Sequence, residues 1–395
     1  MIQDAAFTRR SLLAATLALP GCATTLKPTT AKPPAFIRAS LAPLRMTMDR
    51  LTHITVCLRP FRAAGPRLDV ETIGNKRVVH NYGHGGSGWS LSWGSAAITA
   101  RNAMEGGGTE IAVIGCGALG LTTAITLQRA GASVTIYAKD RLPQSRSARA
   151  TGIWSPDSRI AASEAVSPQF PALWEAITRR SFAEHQSYVG LPGNPVVWTD
   201  NYFLSDTPRR PAFEPRPGTP EPPGAIHFAH YGRSRIPDLT SGSNDILPQN
   251  HPFPTIRATH NVQMQFNITA LADRLMAEFL GNGGIFIPAD FASPVEFLRI
   301  AQPVIVNCTG YGARALMRDE TIVPVRGQIG WLAAQPEVTY GLFYRSVSIV
   351  PRPEGIVVQY VGESEMYGVG NTDETPDQGE TARAVATVAP LFAAA

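Results

Sequence analysis

The sequence predicts an α/β fold in which a βαβ unit is interlocked with a second domain. Three observations predict it. Residues 110–137 read as strand, glycine loop, helix and strand. Residues 78–104 read as a short strand, a glycine cluster and a helix. The folded body, roughly 345 residues, is too long for one simple core and suits two interlocked domains.

Composition narrows the function classes. Hydrophobic residues make up 44% and charged residues 17% of the chain, the balance of a globular protein rather than a disordered or fibrous one. The net charge of +4 is small for the length, and no Lys/Arg cluster stands out, so there is no case for nucleic-acid binding. The run 208–224 holds Arg209-Arg210 and seven prolines. It excludes a helix or an inner strand and reads as a surface excursion. Cys22, Cys57, Cys116 and Cys308 form no CxxC pair, so no zinc or dithiol motif and no metal site are expected.

The first residues read as a leader. Arg9-Arg10, the apolar run Leu12–Leu19 and the ending Leu19-Pro20-Gly21-Cys22 outline an export signal over 1–22, too short to span a bilayer. The paired arginines resemble a twin-arginine signal, and the ending resembles a bacterial lipoprotein cleavage site. That resemblance implies an exported, periplasmic or membrane-tethered protein with lipid on Cys22. Residues 23–48, rich in Thr, Pro, Ala and Lys, read as a linker.

Residues 110–114 form a short apolar strand. The loop Gly115-Cys116-Gly117-Ala118-Leu119-Gly120 follows, and Leu121, Ala124 and Ile125 then recur at helical spacing before a second strand, Ser133–Tyr137. This context raises GxGxxG above a bare pattern match and predicts a Rossmann-type dinucleotide site with pyrophosphate at the helix N-terminus. The acid that grips the ribose should end the second strand. Here that place reads Ala138-Lys139-Asp140, a carboxylate displaced by one or two residues, with Lys139 as a candidate on the adenosine phosphate side. The loop alone does not separate FAD from NAD.

Other segments make that separation. Residues 54–62 end in Arg59-Pro60-Phe61-Arg62. Residues 78–96 run Val-Val-His-Asn-Tyr-Gly-His-Gly-Gly-Ser-Gly-Trp-Ser-Leu-Ser-Trp-Gly-Ser-Ala. Gly83, Gly85, Gly86 and Gly88 let backbone approach a flat ligand, and the helix at about 87–104 would aim its positive end at it. The second run closely resembles the C-terminal signature of the D-amino-acid oxidase family. Ala150-Thr151-Gly152-Ile153-Trp154-Ser155-Pro156, Val304–Gly310 and Pro324-Val-Arg-Gly-Gln328 resemble further segments of it.

The resemblance implies a glutathione-reductase-like FAD domain and a substrate domain with an antiparallel or mixed sheet. It implies that Arg59 binds a substrate carboxylate, bidentately and planar-matched, and that the Gly86 carbonyl accepts from the substrate amine. Gly85, Gly86, Ser87, Gly88, Trp89 and Ser90 would meet the flavin. So would Ser147, Thr151, Gly152, Ile153, Thr309 and Gly310. Tyr344 falls where the family has a lid tyrosine. Ser348 falls where it has a tyrosine that helps hold the carboxylate, which leaves a roomier pocket or another carboxylate partner. Cys116 and Cys308 fall in tight packings and read as space-fillers.

The implied activity is oxidation of the CH–NH2 bond of a D-amino acid, with hydride passing to flavin N5 and oxygen or another acceptor taking the electrons. Ser348 keeps a glycine- or N-alkyl-amine oxidase open, and a non-catalytic flavin-binding lipoprotein is the alternative of another class. The segments occur in a rearranged order: residues 54–104 precede the GxGxxG strand, whereas the family has them at its C-terminus. The resemblance therefore describes a circular permutation, and Phe392 and Asp49–Thr52 should lie near each other. The expected division is 49–165 and 256–322 to the FAD domain, and 166–255 and 323–395 to the substrate domain.

Overall fold

The computed structural model describes residues 41–208 and 224–393. The leader with Cys22, and residues 209–223 of the proline-rich run, lie outside the described residues. Strands β1 (Leu51–Arg62), β2 (Val70–Ile73) and β3 (Lys76–His80) lead into α1 (Gly88–Met104). Next come β4 (Glu110–Ile114), α2 (Ala118–Arg129), β5 (Ser133–Ala138), α3 (Phe170–Gln186), β6 (Val196–Ser205), α4 (Gly232–Arg235), β7 (Asn244–Ile246) and β8 (Arg257–Phe266). Then follow α5 (Ile268–Gly281), β9 (Ile285–Pro288), β10 (Val304–Asn307), α6 (Ala313–Leu316), β11 (Ile322–Leu332), β12 (Tyr340–Tyr344), β13 (Val347–Arg352), β14 (Gly355–Tyr360) and α7 (Gln378–Val388).

A six-stranded sheet has the order β2-β3-β10-β4-β5-β9. All its pairings are parallel except the edge pair β2–β3. Its central strands are apolar runs because a parallel sheet is covered on both faces. Ile111–Ile114 are all buried, and each large side chain so buried contributes about 1.5–3 kcal/mol. Val79, Ile111, Val113 and Val306 pack with α1, α2 and α5 on one face, and Val78, Ala112, Ile114 and Ile305 pack with Phe297 and Leu316 on the other.

An eight-stranded sheet has the order β1-β11-β14-β13-β12-β6-β8-β7. Only β12–β6 is parallel. α7 covers part of one face through Ala384, Val385 and Val388. The mixed α/β architecture expected from the sequence is therefore present. Its boundaries differ from expectation in three places. β1 pairs with β11 and β8 with β6, so both belong to the eight-stranded sheet and not to the nucleotide-type sheet. Leu44 and Met46 are buried in the core beside α7, and Tyr340 Oη donates to the Ala42 carbonyl at 2.8 Å. The expected linker therefore already packs at Leu44.

α1 passes to β4 through the five residues Glu105–Thr109. Leu51 and Phe392 both pack against the core of the eight-stranded sheet that contains Leu332, Val347 and Val388.

Candidate active site

The register of the parallel sheet brings the distant motifs together. Asn307, the last residue of β10, aligns with His80 at the end of β3 and with Ile114 at the end of β4. The segments that follow these ends are Asn81–Ser87, Gly115–Gly120 and Cys308–Gly310. Ligands of open α/β sheets bind beyond such carboxyl ends. A buried polar network ties the ends. Asn81 N–H donates to Asn307 O at 2.9 Å, Asn81 Nδ2 to Thr123 Oγ1 at 3.0 Å, and Thr309 Oγ1 to Asn307 Oδ1 at 2.7 Å. Sequence reasoning missed this network; the Asn-Tyr-Gly and Asn-Cys-Thr-Gly runs were its only signal.

The first glycine loop is a cradle that only glycine fits. Gly115 sits at φ +107, and a Cβ on Gly120 would strike the Gly115 carbonyl. A Cβ on Gly117 would come within 2.6 Å of Ser147 Oγ. The first N–H groups of α2 have no partner inside the helix. Ala118 N–H donates to Ser147 Oγ at 3.1 Å, while those of Leu119 and Gly120 lie in the same first turn. This is the donor set that holds a pyrophosphate.

Ser147 also joins the two glycine segments, since its carbonyl accepts from Trp89 Nε1 at 2.9 Å. Ser90 Oγ accepts from Ser155 N–H at 2.8 Å. Gly152, at φ +89, accepts from Phe266 N–H at 2.6 Å, and Ile153 bridges to Gln265. Thus Thr151–Ile153 lie where the eight-stranded sheet meets the flavin-type segments. A side chain at Gly88 would meet nothing within 4 Å, so the N-terminus of α1 opens on free space. Ser145 Oγ and Asn81 Oδ1 are buried without a partner among the described residues.

The cysteines behave as small core residues. Burial pushes the thiols of Cys116 and Cys308 up to about 12. Lys139 and Asp140 stand at the exposed end of β5, where Lys139 Nζ lies 3.7 Å from Asp290 Oδ2 at the surface.

Arg59 is on β1, opposite Val325, two residues from Cys57 opposite Gly327. Its guanidinium lies over Gly327, where a Cβ would strike Cζ, Nη1 and Nη2. Its one hydrogen bond here is long, Nη1 to the Arg326 carbonyl at 3.5 Å. No carboxylate comes within 4 Å of it among the described residues. Burial holds its pKa below the usual arginine range. β1 is tied to the second glycine segment by Gly85 N–H to Pro60 O at 2.8 Å and by the Phe61–His84 bridge. Gly86 N–H donates to Ser158 O at 2.9 Å. Arg59 and Gly86 are therefore brought together.

Tyr344 is not. It pairs with Val347 and packs in the α7-covered core, with its hydroxyl donating to Asp206 Oδ2 at 2.8 Å. Ser348 has the opposite parity. Through its pairing with Gln359, and that of Val350 with Val357 and Val357 with Trp331, it shares a face with Gly327 and Arg59. Alternation along the strand sends Tyr344 to the wrong side.

Two arginines unnoticed in the sequence hold a flank of the site. Arg146 grips Glu374 bidentately at 2.8 and 2.7 Å, and Arg149 donates to the Val56 carbonyl at 3.0 Å. A cleft of about 770 Å³ lined by Arg326, Tyr367 and Glu380 is elsewhere: Arg326 alternates with Val325 and Gly327, and it is already paired with Glu380 at 3.3 Å.

A glycine cradle at parallel strand ends, joined to a second glycine segment and to an arginine with no carboxylate within 4 Å among the described residues, marks a dinucleotide-type site. Residues 110–395 match the family described as FAD dependent oxidoreductase (DAO), and the chain belongs to that family. Its cofactor is FAD, which the first turn of α2 and the cradle fit. The D-amino-acid oxidase of Dictyostelium discoideum is 25% identical over 296 residues, 72% of this chain and 74% of that protein. The D-amino-acid oxidase of Streptomyces coelicolor is 26% identical over 281 residues, 68% of this chain and 73% of that protein. Among solved structures, L-amino acid deaminase from Proteus vulgaris with its specific insertion deleted aligns over 71% of this chain and 73% of that one, at 12% identity and a TM-score of 0.44.

Proposed function

We propose that the protein oxidises the CH–NH2 bond of a D-amino acid to an imino acid, which hydrolyses to a 2-oxo acid and ammonia, with oxygen giving hydrogen peroxide. The observation that carries this is Arg59: a half-buried guanidinium with no carboxylate within 4 Å among the described residues, on a strand tied through Pro60 to Gly85, next to Gly86. The two curated relatives named above, both D-amino-acid oxidases, support it.

FAD supplies the two-electron acceptor when bound. The chain supplies position. Arg59 fixes the α-carboxylate in both distance and plane. The Gly86 carbonyl is the acceptor for the amine. No side-chain base is needed if the amine arrives neutral; Cys57, the thiol beside Arg59, is held protonated because burial raises its pKa. Gly115, Gly117–Gly120, Ser147, Thr151–Ile153, Ser87–Ser90 and Thr309-Gly310 would hold FAD.

Peroxide release from the FAD-loaded protein, assayed across paired D- and L-amino acids, tests this. D-only turnover is expected, and L-only turnover would defeat the stereochemistry. Ser348 on the Arg59 face favours a second reading, a glycine- or N-alkyl-amine oxidase, which predicts faster turnover of sarcosine than of any D-amino acid.

The permuted order is part of the same proposal. The shared core of Leu51 and Phe392 and the five-residue link after α1 support it. Export with lipid on Cys22 is likewise proposed from the leader; Cys22→Ala should move the protein from the membrane to the soluble fraction.

A further inference from the structure

Helix α3 turns one seam toward α1. Ile177, Ser181 and His185 recur every four residues, so they share a side of the helix. All three are buried. The helices approach closely because Gly94 of α1 has no side chain; a Cβ there would strike the Ile177 carbonyl. Gly94 N–H donates to Ser181 Oγ at 2.7 Å. One turn further along α3, His185 Nε2 lies 2.9 Å from the Trp89 carbonyl. A carbonyl only accepts, so Nε2 carries the proton and donates. Nδ1 has no partner among the described residues. Burial pushes the His185 pKa down to about 4, which keeps the ring neutral, and the bond to Trp89 fixes its tautomer.

The carbonyl that His185 serves is in the first turn of α1. Ser92 Oγ donates to the same oxygen at 3.0 Å, and the same amide carries the Ser90 N–H. Leu91 N–H bonds to Ser87 O at 2.9 Å. The N–H groups of Gly88, Trp89 and Ser90 precede it and have no acceptor inside the helix. Ser87, the residue before the helix, makes no side-chain cap bond, and no acid stands in the first turn. The FAD segments converge on this end. Trp89 Nε1 donates to the Ser147 carbonyl at 2.9 Å, and Ser147 Oγ accepts from Ala118 N–H at 3.1 Å. A chain of bonds therefore runs from His185 through Trp89 and Ser147 to the first turn of α2.

A hydrogen bond to an amide carbonyl polarises the amide and strengthens the bond its N–H makes, by about 10–30% per bond. Two donors on the Trp89 oxygen thus sharpen the Ser90 N–H, at a helix end that already favours negative charge. A flavin gains negative charge on reduction, and nearby dipoles tune how readily it does so. We propose that His185 is a positioning residue for FAD: it holds and polarises the Trp89–Ser90 amide, which tightens FAD binding and raises the potential of the bound flavin. The ring is enclosed between α1 and Phe266, whose ring centre lies 4.7 Å away, so it acts through Trp89 and not by contact. Packing alone would be served better by an apolar side chain, which leaves no buried nitrogen bare. The inference rests on FAD as the cofactor and not on which amine is oxidised.

The test uses the FAD-loaded protein. Glutamine places its amide nitrogen as many bonds from Cα as histidine places Nε2, so His185→Gln keeps the donor. His185→Leu fills similar space without one. Dialysis followed by flavin absorbance gives the FAD dissociation constant, reduction against a reference dye gives the midpoint potential, and Tm is read alongside. His185→Leu should raise the dissociation constant about 5-fold, the worth of one net hydrogen bond. It should also shift the flavin equilibrium about 2- to 4-fold toward the oxidised form, roughly 9–18 mV for a two-electron couple. His185→Gln should restore most of both. A parent-like value of either property in His185→Leu overturns the proposal. So does a loss that His185→Gln does not rescue, since that is a packing role. Ser92→Ala removes the other donor to the Trp89 oxygen without touching α3, and it should lower the potential in the same direction. Should His185→Leu fail to fold, Ser92→Ala decides: an unmoved potential there overturns the proposal.

Discussion

Gly327→Ala isolates the role of Arg59 without touching it. Gly327 lies within β11, opposite Cys57, with no positive φ, so alanine suits its backbone. The new methyl would instead meet Cζ, Nη1 and Nη2 of Arg59. The guanidinium is half-buried and weakly held, by one 3.5 Å hydrogen bond, so it swings aside rather than breaking the sheet. The stability loss should fall at the low end of overpacking, about 1 kcal/mol, or about 1–2 °C in Tm for a chain of this length. The loss to the substrate is larger. A displaced Arg59 forfeits charge-assisted hydrogen bonds of about 1.5–3 kcal/mol, a rise of roughly 10- to 150-fold in KM for a D-amino acid. Steady-state peroxide release reads it, with FAD absorbance confirming loading. A folded, FAD-loaded Gly327→Ala with the parent KM would refute the placement of the carboxylate at Arg59.

Gly120→Ala should abolish FAD binding, because its Cβ strikes the Gly115 carbonyl under the loop; retained yellow colour after desalting counts against the cradle. Tyr344→Phe should change KM less than 2-fold and lower stability by about 1 kcal/mol, since its hydroxyl serves Asp206 on the far face; a large KM effect would return Tyr344 to the site. Acid should destabilise the fold. Burial pushes His84 down to about 3 and His185 down to about 4, so both are neutral when folded. The unfolded chain binds their protons below its ordinary pKa near 6.5, and stability falls as pH drops from there. Two protons give at most ~2.7 kcal/mol per pH unit between about 6 and 4, and an unchanged urea midpoint between pH 7 and pH 5 contradicts the assignment.

The local units were legible. The strand at 110–114 and the glycine loop stand where the hydrophobic pattern and the glycines put them, and the helix expected over about 87–104 runs from Gly88 to Met104. What failed depended on strand pairing and turn geometry. β1 carries the same alternation whichever sheet it joins, so nothing local sends it to β11. Tyr344 was placed by counting along the chain. Its face, however, is set by the tight turn at Arg345 and Ser346, with φ 44 and 61, and by the pairing of β12 with β13. Arg159 stood in no motif. Its left-handed backbone is set only where Gly85 and Gly86 pass beneath residues more than seventy positions away.

The most direct test follows the visible absorbance of the bound flavin without oxygen, as paired D- and L-amino acids, acidic and neutral, are added to the parent and to Arg59→Ala. Bleaching by D-enantiomers alone, roughly 10- to 150-fold weaker in Arg59→Ala, is the expected result. Bleaching by L-enantiomers alone, or bleaching indifferent to Arg59→Ala, would contradict the assignment of this site to D-amino-acid oxidation.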